Sequence, residues 1–522
     1  MAGREARHFR LWLPFPSLGS PAAMQRADAE AAAAALPHAA PEAAFRTGIA
    51  LLAADYPELL IALARALADR YPADPRLAQL LGLAARAAGE GPSALAAFRR
   101  AAALAPRDAL IAHSHARTAL EAGETASPLF EAARLLAPAD GAVIQGHAAA
   151  LVAEHRAAEA DAMLAALLAQ NPLWIDGHST LAQIRTQHGG DPLDSIDAAL
   201  TAHPANPGLH HLRIATLLKA RRLAQVPRAI DDAERLLGPQ QVLHLHRAHA
   251  LSELGLFEEA DRAFAAAGAP GDGEAAALLA RHQLKAQRPH DAAATIDGWL
   301  GQGADSALWP YAALAWRLTG DPRAEWLEGD AGLIGVYDLA DRISDLPALV
   351  AHLRTLHTAR AAPLDQSVRG GTQTDGNLLL RADPIIQSLR KVLLDTVAEH
   401  VARLPAMREG HPTLLARREP HRVAGSWSVR LQGAGFHTDH VHPQGWLSSA
   451  FYVAVPATQD TQGWLSLGAC RDLVPQLAPR RLVEPRPGRL VLFPSFMWHG
   501  TRPFPAGERM TVAFDIARPK QD

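Results

Sequence analysis

In 522 residues the sequence has one cysteine, Cys470. That excludes an internal disulfide framework and fits a reducing compartment. The residue itself reads as a small buried side chain. Aromatic residues are scarce, at 5%, so a large aromatic core is not expected. No run of 18 apolar residues occurs, which excludes a membrane-spanning helix as an expectation. The formal net charge of −3 gives no broad basic field, and neither nucleic acid nor a membrane surface is an expected partner. Residues 1–39 read as a flexible lead-in. Its apolar part is interrupted by Pro14 and Pro16, which does not make a signal peptide, and Met24 is an alternative start. The expected location is the cytoplasm. The length calls for two or three domains.

What the chain has in abundance is alanine, and the alanines sit in repeats. Pro72, Pro106, Pro138, Pro172, Pro204 and Pro239 recur at gaps of 34, 32, 34, 32 and 35 residues, each after an Ala/Leu-rich run. A proline so placed stops a helix. Small and aromatic positions repeat with the same period: Ala94, Phe98 and Ala101, then Ala126, Phe130 and Ala133, then Ala260, Phe264 and Ala267. Gly89, Gly123 and Gly255 mark the turns between paired helices. These offsets resemble the tetratricopeptide repeat, a helix–turn–helix unit of about 34 residues whose stacked copies bury a continuous core. About six or seven units are expected over 40–270, degenerate at 173–240, where Pro192 and Pro227 fall in second helices. Helices without the consensus continue to residue 320 as a cap. The array, residues 40–320, is expected to bind a protein or peptide on its concave face.

Residues 321–375 change character and read as a connecting segment, with a short strand at 334–338 and a helix over 345–358. Its polar stretch 364–374 carries Arg369 and Gln373 as weaker site candidates. An amphipathic helix follows over 383–404. From Ser426 the hydrophobic period switches to two, and short strands are expected at 427–431, 446–456, 463–467, 487–494 and 508–515, a sandwich or barrel of β-strands.

The chemistry gathers here. His437, Asp439, His440 and His442 fall within six positions, and His499 follows far downstream. Ligands at i and i+2 on an extended strand point the same way. Both His437/Asp439 and His440/His442 qualify, with His499 as the distant third. Imidazoles on one face of a metal, with open positions opposite, suit a nonheme Fe(II) site. Arg509 lies ten residues after His499 and is fitted to pair a carboxylate, with Thr511 on the same face. Arg430 and Tyr452 are inward candidates for cosubstrate or substrate contact, and Trp446 and Trp498 read as packing.

The arrangement resembles the 2-oxoglutarate- and Fe(II)-dependent dioxygenases over 425–518, the core of a domain expected over 345–522. It is most similar to a bacterial and phage branch with an H-x-H-P signature, here His440-Val441-His442-Pro443, followed by Ser448 to Tyr452, Pro485 to Ser495, His499 and Arg509-Met510-Thr511. The resemblance implies a double-stranded β-helix (jelly-roll) domain behind the all-α repeats. It implies His440, His442 and His499 as catalytic Fe(II) ligands in preference to His437/Asp439, and Arg509 and Thr511 as the 2-oxoglutarate anchor. Molecular oxygen would be consumed and a protein or peptide side chain hydroxylated, prolyl-type first. The competing expectation is a non-catalytic repeat scaffold with a degenerate metal-binding β-domain. A cupin-type metal enzyme without 2-oxoglutarate needs no carboxylate anchor at Arg509.

Overall fold

The computed structural model describes residues 24–303 and 305–521. Helices occupy the chain from Arg26 to Glu328, and strands begin at Gly335. Of the lead-in expected to be flexible, residues 1–23 lie outside the described residues. Residues Arg26–Ala35 form a helix that buries Ala29 and Ala33, as their alanine-rich composition favours.

Helices end at Arg70, Leu104, Leu136, Gln170, Ala202 and Leu237, each two residues before one of the recurrent prolines. The turn inside each helical pair holds one residue in the left-handed region. These are Asp55, Gly89, Gly123, His155, Gly189, Arg221, Gly255, Gln287 and Gly320, spaced 32 to 34 residues apart. The pairs therefore continue in step through 173–240 and on to Glu328, and the helices expected as a bare cap belong to the array. Glycine suits such a turn best, and four of the nine units use another residue there. That is why the period fades from the sequence. Pro192 and Pro227 do not break second helices. Pro227 sits in the first turn of Val226–Leu237, and Pro192 precedes Asp194–Ala202, positions where a missing N–H costs nothing. Within the array, Phe98 packs on Gly82 and Phe130 on Gly146 of the next unit.

The C-terminal domain is a jelly-roll of two antiparallel sheets. Its strands are β1 (Gly335–Asp338), β2 (Val368–Gln373), β3 (Val423–His437), β4 (Gly445–Ala454), β5 (Leu465–Leu467), β6 (Arg481–Val483), β7 (Arg489–Pro494), β8 (His499–Thr501) and β9 (Glu508–Ala517). The larger sheet runs β1-β7-β4-β9-β3-β2 and the smaller β6-β5-β8. Helices Leu346–Leu356 and Pro384–Arg403 cover the outer face of the larger sheet with a leucine- and valine-rich core. Trp446 belongs to this packing, its indole N–H donating to the Thr413 carbonyl at 2.9 Å.

The array lies along the jelly-roll. Arg422 pairs with Asp55 (3.1 Å), the Ala382 N–H donates to the Ala122 carbonyl (2.9 Å) and the Arg360 N–H to the Gln187 carbonyl (2.8 Å). At the far end, Trp498 packs against Tyr311 with ring centroids 5.8 Å apart and donates to the Pro310 carbonyl at 2.8 Å. One apolar core there joins the last repeat helices to Val441, Leu473, Phe496 and Trp498. Among the described residues no helix is long and apolar enough to cross a membrane.

Candidate metal centre and its cavity

β3 ends at His437, and the chain then turns so that His440 meets the start of β8. The His440 N–H donates to the His499 carbonyl (2.9 Å) and the His499 N–H to the His440 carbonyl (3.0 Å). This reciprocal pair sets the two imidazoles side by side, ring centroids 4.1 Å apart. The His442 N–H donates to the Ser495 carbonyl at 2.9 Å, placing its ring 5.1 Å from both others. One nitrogen from each of His440, His442 and His499 lies within 4.8 Å of the other two.

Each imidazole is oriented through Nδ1. That of His440 lies 2.9 Å from the Thr438 carbonyl, that of His499 3.0 Å from the Met497 carbonyl, and that of His442 2.7 Å from Asp515 Oδ2. Asp515 is itself held by a 2.6 Å hydrogen bond from the Ser448 hydroxyl. Such partners fix the tautomer and leave Nε2 as the nitrogen to turn on a metal. Burial first, then the neighbouring imidazoles, holds His440 and His499 well below the ordinary histidine value. Both are therefore neutral, as ligation requires. A metal ion fits this donor set.

Asp439 stands apart. Its carboxylate is 1% exposed and engaged in a two-pronged pair with Arg471 (2.7 and 2.8 Å), with the Arg471 N–H donating to it as well (2.8 Å). The i, i+2 geometry that made His437/Asp439 a candidate pair is spent on this ion pair instead. His437 lies beside the three imidazoles, its ring stacked 5.8 Å from that of His440. Burial first, then the Arg509 charge, lowers it to about 3.

A cavity of about 80 Å³ joins these imidazoles to Arg509 and Thr511 between the two sheets. Arg509 is 3% exposed. It donates to the Gly463 carbonyl and to the Tyr452 hydroxyl (3.4 Å), and it stacks over the Tyr452 ring at 5.0 Å. Among the described residues it pairs with no carboxylate. A buried guanidinium without a counter-anion is costly, so this end of the cavity is built for an anion. Tyr452 touches Arg509 and does not itself line the cavity. Arg430 is not part of the site. It sits one position off Val429, which lines the cavity, so strand alternation turns it to the outer face, where it pairs with Glu508 at 2.7 Å.

Sequence reasoning missed Ser367, whose hydroxyl lies 3.1 Å from His437 Nδ1 and 3.3 Å from His440 Nε2, and Asp515. Ser367 comes from the connecting segment, where only Arg369 and Gln373 stood out. Gln373 does line the cavity with Trp427. Asp515 carried one readable signal, its place on the Arg509/Thr511 side of β9 at even spacing.

The fold and site thus define a helical-repeat chain ending in a jelly-roll with a three-histidine centre. Residues 425–515 match the model of the family described as "Putative 2OG-Fe(II) oxygenase". No curated protein matches the chain. Among solved structures, a tetratricopeptide repeat protein from Parabacteroides merdae is 16% identical and covers 46% of this chain and 94% of its own, with a TM-score of 0.29. A Pseudomonas putida prolyl-4-hydroxylase is 16% identical and covers 36% and 94%, TM-score 0.26. HygX from Streptomyces hygroscopicus, solved with nickel and 2-oxoglutarate, is 12% identical and covers 35% and 82%, TM-score 0.26.

Proposed function

We propose that this chain is a cytoplasmic 2-oxoglutarate- and Fe(II)-dependent dioxygenase that hydroxylates a protein or peptide side chain brought to it by the repeats. The observation that carries the reading is the pairing, in one cavity, of three oriented imidazoles with an arginine that has no carboxylate partner among the described residues. His440, His442 and His499 would hold the metal, and Asp515 offsets part of its charge through His442. Arg509 and Thr511 would take the far carboxylate of 2-oxoglutarate, and Tyr452 keeps the guanidinium aimed. When bound, Fe(II) and 2-oxoglutarate with oxygen supply the oxidation of an unactivated C–H bond, yielding succinate and carbon dioxide. The Ser367 hydroxyl borders the imidazole cluster, and the Trp498 packing fixes the jelly-roll to the last repeat helices beside it.

The test is an anaerobic titration of metal-free protein with Fe(II) and then 2-oxoglutarate, reading the visible charge-transfer band of the chelate. The band is expected in the wild type and in His437→Ala, and lost in His440→Ala. Arg509→Ala should need at least about ten times more 2-oxoglutarate, from the loss of charge-assisted hydrogen bonds. Metal binding with no band in the wild type would favour a non-catalytic scaffold.

A further inference from the structure

A second cavity, of about 410 Å³, lies between the repeats and the jelly-roll. Ser367, Thr438 and His440 form its floor, so it opens onto the metal centre. The facing wall belongs to the repeats and includes Arg221, His249, Glu253, Arg281 and Tyr311. Its volume falls in the range of small-ligand pockets, roughly 300–1,000 Å³. It holds one side chain or a small molecule and excludes a folded partner.

The repeat wall carries a charge surplus. Glu253, 4% exposed, accepts two hydrogen bonds from Arg281 (3.0 and 2.8 Å). Lys285 stands 3.4 Å and Arg221 3.5 Å from its other oxygen. One carboxylate thus faces three cations. Of the two arginines that line the cavity, Arg281 is 18% exposed and weakly screened, and Arg221 is 54% exposed at its rim. The jelly-roll wall is of opposite character, bringing Asp365 and Asp472 with Arg369. A negatively charged group is drawn to the repeat side and kept from the other.

Arg221 supplies a second, independent observation. It occupies the left-handed turn position, at φ 54°, that five of the nine units give to glycine. A long side chain there is strained, and such strain persists where something is gained. At the same position in other units, Asp55 and Gln287 reach across to Arg422 and Gln476 of the jelly-roll. This turn is where the array addresses the catalytic domain, and in the sixth unit it presents a cation to the cavity.

We propose that this cavity is the substrate chamber, and that Arg221 and Arg281 receive a carboxylate of the substrate, directing the neighbouring carbons toward His440. The proposal rests on the oxygenase reading and adds a substrate class to it. The repeats act as the specificity wall of the active site itself.

The experiment is isothermal titration calorimetry on the full chain loaded with Zn(II) and 2-oxoglutarate. The probes are N-acetyl-glutamate methylamide, its glutamine counterpart and N-acetyl-alanine. Binding of a carboxylate probe at least about 10-fold tighter than the glutamine compound is expected. The glutamate probe would assign an acidic side chain, and N-acetyl-alanine a free chain end. Arg221→Gly should weaken that binding about 10-fold with no fall in Tm, because glycine suits the turn. Arg281→Gln should abolish it while leaving Glu253 its pairs with Lys285 and Arg221. Affinity of both carboxylate probes no better than that of the glutamine compound, or carboxylate binding unchanged in both variants, overturns the proposal. Zn(II) and 2-oxoglutarate binding are measured first on every variant. Their absence in the wild type fails the oxygenase reading, whereas their presence without carboxylate binding fails the chamber alone.

Discussion

The repeat array and the metal centre are built at different ranges along the chain. In the array, Phe98 meets Gly82 within one unit and Phe130 meets Gly146 in the next. At the centre, His442 leans on an aspartate 73 residues away, and His440 on a serine 73 residues back in the connecting segment. Local packing survives the loss of one turn glycine, as four units show. A centre assembled from distant strands depends on each strand being in register. The joint between the two regions inherits the second kind of fragility.

Acid should break the joint with the largest effect. His411 is 2% exposed. Its Nδ1 accepts N–H bonds from Thr413 and Leu414 (both 3.0 Å), and its Nε2 lies 3.1 Å from the carbonyl of Leu327 in the last repeat helix. His400, also 2% exposed, lies in the jelly-roll and His249 in the repeats. Burial lowers His411 and His400 to about 4 and His249 to about 3. Their folded values lie below the unfolded one, so the unfolded chain binds protons first as pH falls. Stability should drop from about pH 6.5 towards pH 4, on the order of 3 kcal/mol for each fully buried imidazole. Urea unfolding of the metal-free chain at several pH values measures this, and His411→Gln should flatten the slope. A flat profile in the wild type would mean that these imidazoles are already hydrated.

Gly91→Ala tests the docking sterically. A Cβ there would lie 2.0 Å from the carbonyl oxygen of Leu380. That oxygen belongs to a short turn tied to β3 by the bond from the Leu379 N–H to the Ser426 hydroxyl (2.8 Å). Neither side can yield cheaply. A loss of about 3 kcal/mol is expected, with faster proteolysis between the regions. An equivalent change at Gly255, which has nothing within 4 Å, should leave the joint intact and cost only turn strain.

The fold was legible where period or chemistry repeats. Proline spacing located the repeat boundaries, and alternation located β4, β7 and β9 to within a few residues. Spacing and residue type singled out His440, His442, His499, Arg509 and Thr511, which the structure brings to one cavity. The true extent of the array was not, since Asp55, His155, Arg221 and Gln287 replace the glycines that signal the turn. Arg430 misled because one residue of strand phase separates the cavity from the outer face. The joint was illegible in principle, because nothing local to Asp55 or Gln187 records a partner hundreds of residues away.

Asp439→Asn separates structure from chemistry inside the cluster. It removes the charge that Arg471 pairs with two-fold. Arg471 is 38% exposed and can recover some hydration, so about 2 kcal/mol of stability should be lost, less than for a fully buried pair. Metal affinity should hold. A chain that loses Zn(II) or Fe(II) while staying folded would return Asp439 to the ligand set.

The smallest expected effect sharpens the comparison most. Asp515→Asn keeps the shape of the side chain and its link to Ser448, but replaces the carboxylate that orients and polarises His442. Partners of this kind change metal affinity by roughly 10- to 100-fold, with little change in the stability of the metal-free chain because the amide keeps its bond to Ser448. Metal titration against a competing chelator measures the first quantity and urea unfolding the second. A fall in affinity without a fall in stability assigns Asp515 to the metal. A fall in both would make it a strand-pairing residue of β4 and β9, and the three imidazoles would then be held in place by backbone alone.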